Sequence, residues 1–409
     1  MQDAMVIVGA GHVGGRTALA LRANGWNGPI VLVGDEVDAP YERPPLSKGV
    51  LTGEAFSASL RPDADYAHQG IEWLRSTSAR RIVRDERAVV LADGRRIAYQ
   101  SLLLATGGRA RPLTVPGADL PVVTTLRTLP DARALAARLA AGARCLVVGG
   151  GFIGLEVAAS ARARGCDVTL LEAAPRLLGR VVAAAIAERV QSLHQAHGVD
   201  MRLGAELRSV TQRGAVSRVR LGDGSMLDVD VVVVGIGIVP NVALAESAGL
   251  SVGNGIVVDR HLRTTDLAIY AAGDVALFPD LHSGQPRRRE SWHNAEDHAR
   301  VAAANMVGGH ERAGGPHWFW SDQYDHTLQI SGDPSAGNGL VSRQVGEHAR
   351  IDFHLDAGER IVGIAGFGPT TALAKEFKLA RTLYERGIRP AAGRLADTSA
   401  SLKSLLACA

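Results

Sequence analysis

Two copies of one glycine pattern constrain the fold of this chain more than any other feature. Residues 6–15 read VIVGAGHVGG and residues 146–156 read LVVGGGFIGLE. Each copy sets three glycines in a G-x-G-x-x-G frame directly after an apolar run: Gly9, Gly11 and Gly14 in the first, and Gly149, Gly151 and Gly154 in the second. The first two glycines of such a frame let the backbone turn tightly and approach a pyrophosphate, and the third lets the next helix pack close to the strand. The pattern predicts two βαβ units, each with a helix N-terminus facing phosphates.

An acidic residue follows each copy at a distance that suits a ribose contact. Asp35 and Glu36 come after the β-rich run Ile30 to Val33, and Glu172 comes after the run Val168 to Leu171. Both positions lie roughly 20 residues beyond the glycines, where a carboxylate can accept hydrogen bonds from ribose hydroxyls. Glycine-rich turns also occur without a ligand, and these acids are what favour two bound dinucleotides.

The acid after the second copy also bears on the choice of nicotinamide cofactor. A carboxylate at Glu172 favours the 2′-hydroxyl of NADH and repels the 2′-phosphate of NADPH. Arg176 and Arg180 follow, and nearby arginines can accommodate such a phosphate. The sequence predicts NADH as the preferred cofactor.

Composition and charge limit the remaining possibilities. The 409 residues suggest two or three domains, and 46% apolar with 21% charged residues is typical of a globular protein. No apolar run approaches the ~20 residues of a membrane span, and the sequence enters a strand without a signal peptide, so we expect a cytoplasmic protein that does not bind membranes. A net charge of +3 is too small to indicate nucleic-acid binding. The local basic run Arg287 to Arg289 is either a solvated loop or a surface for an acidic protein partner.

The cysteines argue against disulfide chemistry. Cys145, Cys166 and Cys408 include no C-x-x-C or C-x-x-x-x-C pair, which a disulfide reductase would need beside its flavin. Cys145 and Cys166 border apolar runs and are expected to be buried. The histidine pairs His194/His197 and His293/His298 lack a third ligand at a suitable spacing, so no metal site is predicted.

The chain reads as a duplicated module followed by a different domain. The strand-like runs Ser101 to Ala105 and Val229 to Val234 both end in glycine-rich exits, ATGG and VGIG, as expected for an internal duplication. Ile269 to Ala272 predicts a strand with Asp274 at its carboxyl end, where ligands gather in α/β sheets, although an Asp there can also cap a helix. Beyond residue 318 we predict four short strands (327–331, 340–344, 350–355 and 360–364) and a helix over 370–386. The predicted fold class is α/β, with two Rossmann-like dinucleotide-binding domains, the first interrupted by the second, plus a C-terminal α+β domain.

Six further motifs make the chain resemble a known family. They are RPPLSK at 43–48, LATGG at 104–108, LRTL at 126–129, TTDLAIYAAGD at 264–274, ESWHNA at 290–295 and WFWSDQY at 318–324. Together with the two glycine patterns, these motifs make the chain resemble, over nearly its full length, the FAD-dependent NADH:ferredoxin reductases of bacterial oxygenase systems. This is the family of putidaredoxin reductase and biphenyl dioxygenase ferredoxin reductase. The resemblance implies an FAD domain from residues 1–109 and 238–317, an NADH domain from 110–237, and a C-terminal interface domain from 318–409.

The resemblance also implies residue roles at the matching positions. Asp35 would bind the adenosine ribose of FAD, Lys48 would lie beside the isoalloxazine ring, and Asp274 would bind the ribityl chain. Further FAD contacts are implied at Val13, Arg43, Ala79, Arg127, Trp292 and Trp320. The NADH path is implied at Gly150, Ile153, Glu156, Glu172, Arg180 and Gly237. Without the motifs, Lys48 would read as an exposed loop lysine and the clustered tryptophans as core residues.

We therefore expect a flavoprotein that takes a hydride from NADH onto FAD and passes single electrons to a 2Fe–2S ferredoxin feeding an oxygenase, either a Rieske dioxygenase or a cytochrome P450. A flavin exchanges electrons in ones or twos, and a lysine near it can stabilise developing negative charge, so no covalent catalyst is required. One alternative is an NADH-dependent flavin oxidase, or a quinone or dye reductase. Another is an NADH-sensing binding flavoprotein. The oligomeric state is not determined by the sequence, and we expect a monomer or a weak dimer.

Overall fold

The computed structural model describes residues 4–54, 58–179, 181–214, 216–280 and 284–407. The strands are β1 Ala4–Val8, β2 Ile30–Val33, β3 Ile71–Leu74, β4 Ala79–Val83, β5 Ala88–Leu91, β6 Arg96–Leu104, β7 Gly108–Ala110, β8 Val123–Thr125, β9 Arg144–Val148, β10 Asp167–Glu172, β11 Asp200–Leu203, β12 Leu207–Arg213, β13 Val216–Leu221, β14 Met226–Val229, β15 Val231–Val234, β16 Ile238–Pro240, β17 Val252–Gly253, β18 Gly255–Val257, β19 Ile269–Ala271, β20 Ala276–Pro279, β21 Pro286–Arg287, β22 Trp318–Gln323, β23 His326–Gly332, β24 Gly339–Val345, β25 Ala349–Leu355 and β26 Ile361–Pro369. The helices are α1 His12–Ala23, α2 Gly49–Thr52, α3 Asp63–His68, α4 Leu129–Arg138, α5 Phe152–Ala163, α6 Ala184–Ala196, α7 Ala243–Ser247, α8 Trp292–Met306, α9 Thr370–Glu385, α10 Ala392–Ala396 and α11 Leu402–Ala407.

The chain forms two compact units. Unit 1 comprises residues 1–45, 57–109 and 238–315, and unit 2 comprises residues 46–56, 110–237 and 316–409. No helix among the described residues is both long enough and apolar enough to cross a membrane.

Unit 1 is built on a sheet whose central strand carries the first glycine turn. Its strand order is β3-β2-β1-β6-β5-β4, and β19 pairs with β6. Strands β1, β2, β3, β6 and β19 are parallel, whereas β4 and β5 form an antiparallel extension of β6. The parallel strands β1 and β2 are buried at every residue, as strands covered on both faces must be. Because the chain leaves β1 toward β2 on one side and β6 lies on the other, the carboxyl end of β1 is the switch point of the sheet.

Unit 2 repeats this arrangement around β9. Its parallel sheet has the order β11-β10-β9-β15-β8, so β10 and β15 flank the strand that carries the second glycine turn. A three-stranded antiparallel sheet, β12-β13-β14, packs its apolar residues against Val122 and Val232 of the parallel layer. Helix α4 begins at a capping box in which Thr128 and Asp131 bond each other's backbone.

The C-terminal part of unit 2 is an antiparallel sheet covered by a helix. The strand order is β22-β23-β26-β25-β24, and α9 buries Leu373, Phe377 and Leu383 in the core beneath it. Strands β23, β24 and β25 and the helix match the predicted segments to within one residue at each end, whereas β26 extends five residues beyond the predicted end at 364. The fifth strand, β22, was quoted in the sequence only as a family motif and was not predicted as a strand.

Candidate dinucleotide-binding sites

The turn after β1 has no room for a side chain at Gly9 or at Gly14. Gly9 has a φ of +112°, which favours glycine, and a Cβ atom there would lie 2.2 Å from the carbonyl oxygen of Ala105. A Cβ on Gly14 would lie 1.9 Å from the carbonyl oxygen of Gly9. Ala105 follows β6, so the turn lies between the carboxyl ends of two parallel strands, where ligands bind in open α/β sheets.

The turn after β9 in unit 2 has the same geometry. Gly149 also has a φ of +112°, and a Cβ there would lie 2.5 Å from the carbonyl oxygen of Gly235, which follows the neighbouring strand β15. A Cβ on Gly154 would lie 1.9 Å from the carbonyl oxygen of Gly149. Each turn therefore requires glycine for the same two steric reasons.

Both helices that follow these turns have open N-termini. The N-caps of α1 and α5 are Gly11 and Gly151, neither helix start has a side-chain cap, and neither first turn carries an acidic residue. A Cβ on Gly151 would meet no described atom within 4 Å, and the nearest to a Cβ on Gly11 would be Nη2 of Arg43 at 3.9 Å. First-turn N–H groups and the partial positive charge of a helix end thus face space that a pyrophosphate can fill. The residues present fit one dinucleotide in each unit.

Hydrogen bonds from backbone N–H groups hold the Glu172 carboxylate beside the turn that follows β9. Its Oε2 accepts a hydrogen bond from Gly150 N and its Oε1 accepts one from Ala174 N, both at 2.7 Å. These bonds fix a negative charge next to the start of α5, where the adenosine ribose is predicted. The guanidinium of Arg176 donates to the carbonyl oxygens of Gly179 at 2.6 Å and of Val182 at 3.1 Å, which ties it to its own loop.

Lys48 and Glu156, predicted near the flavin and the nicotinamide, form an ion pair in unit 2. Lys48 Nζ lies 2.8 Å from Oε1 of Glu156, whose side chain is 4% exposed. Ser321 donates to the same oxygen at 2.6 Å, and the Ser47 hydroxyl donates to Oε2. The loop that carries Lys48 is also tied to α5, because Ser160 donates to the Ser47 carbonyl oxygen at 2.7 Å. A buried carboxylate with this set of donors is satisfied, and it holds the ammonium group in one position.

Asp274 lies just beyond the carboxyl end of β19, as the sequence predicts, in a 3₁₀ turn over Gly273–Val275. Gly273 has a φ of +78°, and a Cβ there would lie 2.5 Å from Cγ2 of Val13, so the turn packs against the start of α1. The backbone N–H of Gly273 donates to Nδ1 of His298 at 3.0 Å. Burial lowers the pKa of His298 to about 4, so this ring stays neutral and can accept that bond.

A polar cluster that was not predicted from the sequence includes His12, which belongs to the first glycine pattern. His12 Nε2 donates to Oε1 of Glu296 at 2.6 Å, and Arg16 Nε donates to the same oxygen at 2.7 Å. Trp292, the first residue of α8, packs edge-on against the His12 ring at 5.7 Å. Burial raises the pKa of Glu296, but the bond from His12 and the charge of Arg16 outweigh it and lower that pKa overall. The predicted flavin neighbour Trp292 is thus anchored at the N-terminus of α1.

The other predicted FAD residues of unit 1 lie at exposed or half-buried positions around these elements. Asp35 is exposed after β2, Ala79 is half-buried at the start of β4, and Arg43 Nη2 lies 3.5 Å from Oε1 of Glu36. Their contacts with a cofactor stay predictions.

In unit 2, Arg127 precedes the N-cap of α4, and Ile153 is 43% exposed in the first turn of α5. Gly237 follows β15 with a φ of +99°, and the Trp320 ring stacks on Trp318 with 5.0 Å between ring centroids. Arg180 lies outside the described residues. The roles of these residues as cofactor contacts also stay predictions.

The sequence left the basic run at 287–289 as either a solvated loop or a partner surface, and the structure buries most of two of its three side chains. The Arg288 side chain is 9% exposed and pairs with Glu290 at 2.5 Å, and it also donates to the Asp274 carbonyl oxygen at 3.1 Å. The Arg289 side chain is 11% exposed and pairs at 2.6 Å with Asp280, which is itself 5% exposed. Two of the three guanidinium groups therefore serve the fold of unit 1.

Known proteins match the chain over nearly its full length. Residues 3–299 match the family model of the pyridine nucleotide-disulphide oxidoreductases, and residues 318–406 match the model of the reductase C-terminal domain. The ferredoxin–NAD(+) reductase component of the anthranilate 1,2-dioxygenase system of Burkholderia cepacia is 42% identical over 99% of this chain and 99% of its own. The crystal structure of the ferredoxin reductase for the CYP199A2 system from Rhodopseudomonas palustris aligns with a TM-score of 0.93 at 39% identity, covering 98% of this chain and 99% of that one. The covalent putidaredoxin reductase–putidaredoxin complex aligns with a TM-score of 0.94 at 37% identity, covering 100% of this chain and 99% of that one. These matches confirm the predicted fold class.

Proposed function

Because this chain belongs to the pyridine nucleotide-disulphide oxidoreductase family, whose members use FAD and NAD(H), we propose that it is the FAD-dependent ferredoxin–NAD(+) reductase of an oxygenase system. The family resemblance drawn from the motifs is confirmed, since relatives with about the same length are named ferredoxin–NAD(+) reductases. We infer that NADH is the hydride donor and that a 2Fe–2S ferredoxin is the electron acceptor.

The doubled glycine turn carries this proposal. Unit 1 and unit 2 each contain a switch-point turn that only glycine fits and a helix N-terminus without a capping side chain. We propose that the turn in unit 1 holds the FAD pyrophosphate and that the turn in unit 2 holds that of NADH, with the domain limits given by the sequence motifs. Glu172 would then accept the ribose hydroxyls of NADH, because its carboxylate already lies beside Gly150.

The cysteines support an acceptor outside the chain. Cys145 and Cys166 are buried, and burial raises the pKa of the Cys145 thiol to about 12 and also raises that of Cys166. Electrons from a flavin would be accepted by a disulfide, and the raised pKa of these buried thiols makes them unreactive toward forming one. A protein acceptor agrees with this, and the name of the putidaredoxin reductase–putidaredoxin complex records one for a similar chain.

When bound, FAD supplies the conversion of a two-electron hydride donor into single-electron transfers. The residues of this chain bind and orient the reactants. Helix N-termini bind the phosphates, the Glu156 carboxylate holds the Lys48 ammonium in a position to stabilise negative charge, and Asp274 and Trp292 border the first turn. NADH as the reductant also favours a cytoplasmic location, and we propose a monomer or weak dimer.

The acceptor decides between this function and its alternatives. The purified yellow protein is given NADH together with either a 2Fe–2S ferredoxin or air-saturated buffer, and reduced ferredoxin and consumed oxygen are measured. We expect ferredoxin reduction to be at least about tenfold faster. Faster oxygen consumption would point to the oxidase alternative, and a flavin that NADH does not reduce would contradict the proposal.

A further inference from the structure

A buried chain of hydrogen bonds in unit 2 ends at the Glu156 carboxylate. His194 Nε2 lies 3.0 Å from Gln323 Oε1, Gln323 Nε2 lies 3.3 Å from Ser321 Oγ, and Ser321 Oγ lies 2.6 Å from Glu156 Oε1. These four side chains are between 0 and 4% exposed. Lys48 pairs with the same oxygen of Glu156 at 2.8 Å. We call His194, Gln323 and Ser321 the relay.

The hydrogen bonds of the relay can run from donor to acceptor in only one direction. A carboxylate only accepts hydrogen bonds, so the Ser321 hydroxyl must donate to Glu156. That hydroxyl then accepts from the Gln323 amide N–H, which turns the amide oxygen toward His194. The His194 ring must carry its hydrogen on Nε2. Every donor in the relay therefore points toward Glu156.

Two further observations support this direction. Burial lowers the pKa of His194 to about 4, so the ring is neutral near pH 7 and has one N–H to donate. The Tyr324 hydroxyl lies 3.5 Å from His194 Nδ1, the nitrogen that must accept. The ring nitrogens of His194 thus have complementary partners.

The local structure explains how these residues meet. In β22, the residues Phe319, Ser321 and Gln323 share one face because side chains alternate along a strand. In α5, Phe152 and Glu156 are four residues apart and share a helix face. The Phe319 and Phe152 rings pack edge-on with their centroids 4.8 Å apart, which sets Ser321 opposite Glu156.

We propose that Ser321, oriented by Gln323 and His194, is a positioning residue for hydride transfer because it fixes the Glu156 carboxylate and, through it, the Lys48 ammonium. This inference rests on the proposed function. It makes β22 part of the reductase machinery through the face that carries Ser321 and Gln323, in addition to the face that carries Trp320. Among the contacts described, two titratable groups interact with Glu156: Lys48 through a direct ion pair and His194 through the relay.

The test compares Ser321→Ala with a matched control. Ser342→Ala removes a serine hydroxyl that donates at 2.8 Å to Asp352, a buried carboxylate that is likewise paired with a basic side chain, but Ser342 lies in β24, at the opposite edge of the sheet from β22. Stopped-flow reduction of the FAD-loaded protein by NADH gives both the limiting rate and the NADH Kd. We expect Ser321→Ala to lower the limiting rate about tenfold with less than a threefold change in Kd, since about tenfold corresponds to about 1.4 kcal/mol, the low end for a hydrogen bond to a charged group. Ser321→Thr, which keeps the hydroxyl, is expected to restore most of the rate.

A second measurement does not depend on reductase activity. In protein labelled with ¹⁵N-histidine, the resonances of His194, assigned with His194→Gln, report a neutral ring protonated on Nε2 at pH 7. We expect these resonances to shift in Ser321→Ala and to stay in place in Ser342→Ala. A His194 ring that is cationic or protonated on Nδ1 would overturn the relay even if the protein is not a reductase. If NADH reduces wild type but Ser321→Ala behaves like Ser342→Ala, or loses affinity and rate equally, the positioning role is wrong while the proposed function stands.

Discussion

Gly151→Ala separates cofactor binding from folding at the second glycine turn. Gly151 is in an extended conformation (φ −86°, ψ −176°) that alanine adopts freely, and a Cβ there would meet no described atom within 4 Å. The added methyl group would occupy the open space in front of the α5 N-terminus. We expect NADH binding to weaken while the protein itself remains folded.

The magnitudes follow from the geometry. Alanine is a poorer N-cap than glycine by roughly 0.5–1 kcal/mol, and replacing glycine in a permitted conformation stabilises by about 0.4–1 kcal/mol, so the net change in unfolding free energy is within about 1 kcal/mol. A pyrophosphate pushed away from the first-turn N–H groups loses at least one hydrogen bond to a charged acceptor, worth about 1.5–3 kcal/mol. The NADH Kd is therefore expected to rise about ten- to a hundredfold.

Two glycine variants in unit 2 serve as controls for this prediction. Gly393→Ala adds a methyl group to equally open space, within α10, and is expected to leave NADH binding unchanged. Gly149→Ala forces a φ of +112° on alanine and a Cβ 2.5 Å from a carbonyl oxygen, so it is expected to damage the fold. Calorimetric titration with NADH and urea unfolding are measured for each. If Gly151→Ala binds NADH within threefold of wild type, the α5 N-terminus is not the pyrophosphate site.

Three further predictions test other parts of the molecule. Glu172→Arg removes the carboxylate beside Gly150, so steady-state kinetics should show a higher NADH KM and weaker rejection of NADPH, and an unchanged preference would count against its ribose role. Since burial lowers the folded-state pKa of His298 from 6.5 to about 4, the stabilisation from its neutral form is present above pH 6.5 and is lost as the pH falls from 6.5 to 4, by about 3 kcal/mol. His298→Gln should flatten the pH dependence of the unfolding free energy in that range, and a dependence as steep as that of wild type would contradict this. Arg289→Ser removes the ion pair with the buried Asp280 carboxylate and should lower the unfolding free energy by about 3–5 kcal/mol, whereas a loss below about 1 kcal/mol would mean that the pair is not structural.

The sequence was most informative where strands are buried on both faces. Such strands are continuous apolar runs, and Ile30 to Val33 was predicted with the bounds that the structure has. The glycine turns were equally predictable, because the positive φ of Gly9 and Gly149 and the close approach of Gly14 and Gly154 to them arise within the turn itself. The antiparallel strands β4, β12 and β13 were not predicted, since their half-exposed faces carry charged or polar residues.

The strand β22 shows why part of the candidate site could not be predicted. Strand prediction relies on apolar residues at alternate positions, and the inward residues Ser321 and Gln323 are polar. They are buried because Glu156 and His194, distant in sequence, satisfy their hydrogen bonds. The buried ion pair of Arg289 could not be predicted for a similar reason, since a run of basic residues does not reveal a buried acidic partner such as Asp280.

Two turns with the same backbone geometry become unequal through their neighbours. The second residue after the N-cap glycine is Val13 in unit 1 and Ile153 in unit 2, and the first turns of the two helices match position by position. Val13 is 8% exposed because the Gly273 turn packs against it, whereas Ile153 is 43% exposed. A covered turn favours a cofactor that dissociates slowly, and an open one favours a cofactor that enters and leaves in each cycle. This difference in exposure supports the assignment of FAD to the turn at Gly9 and of NADH to the turn at Gly149.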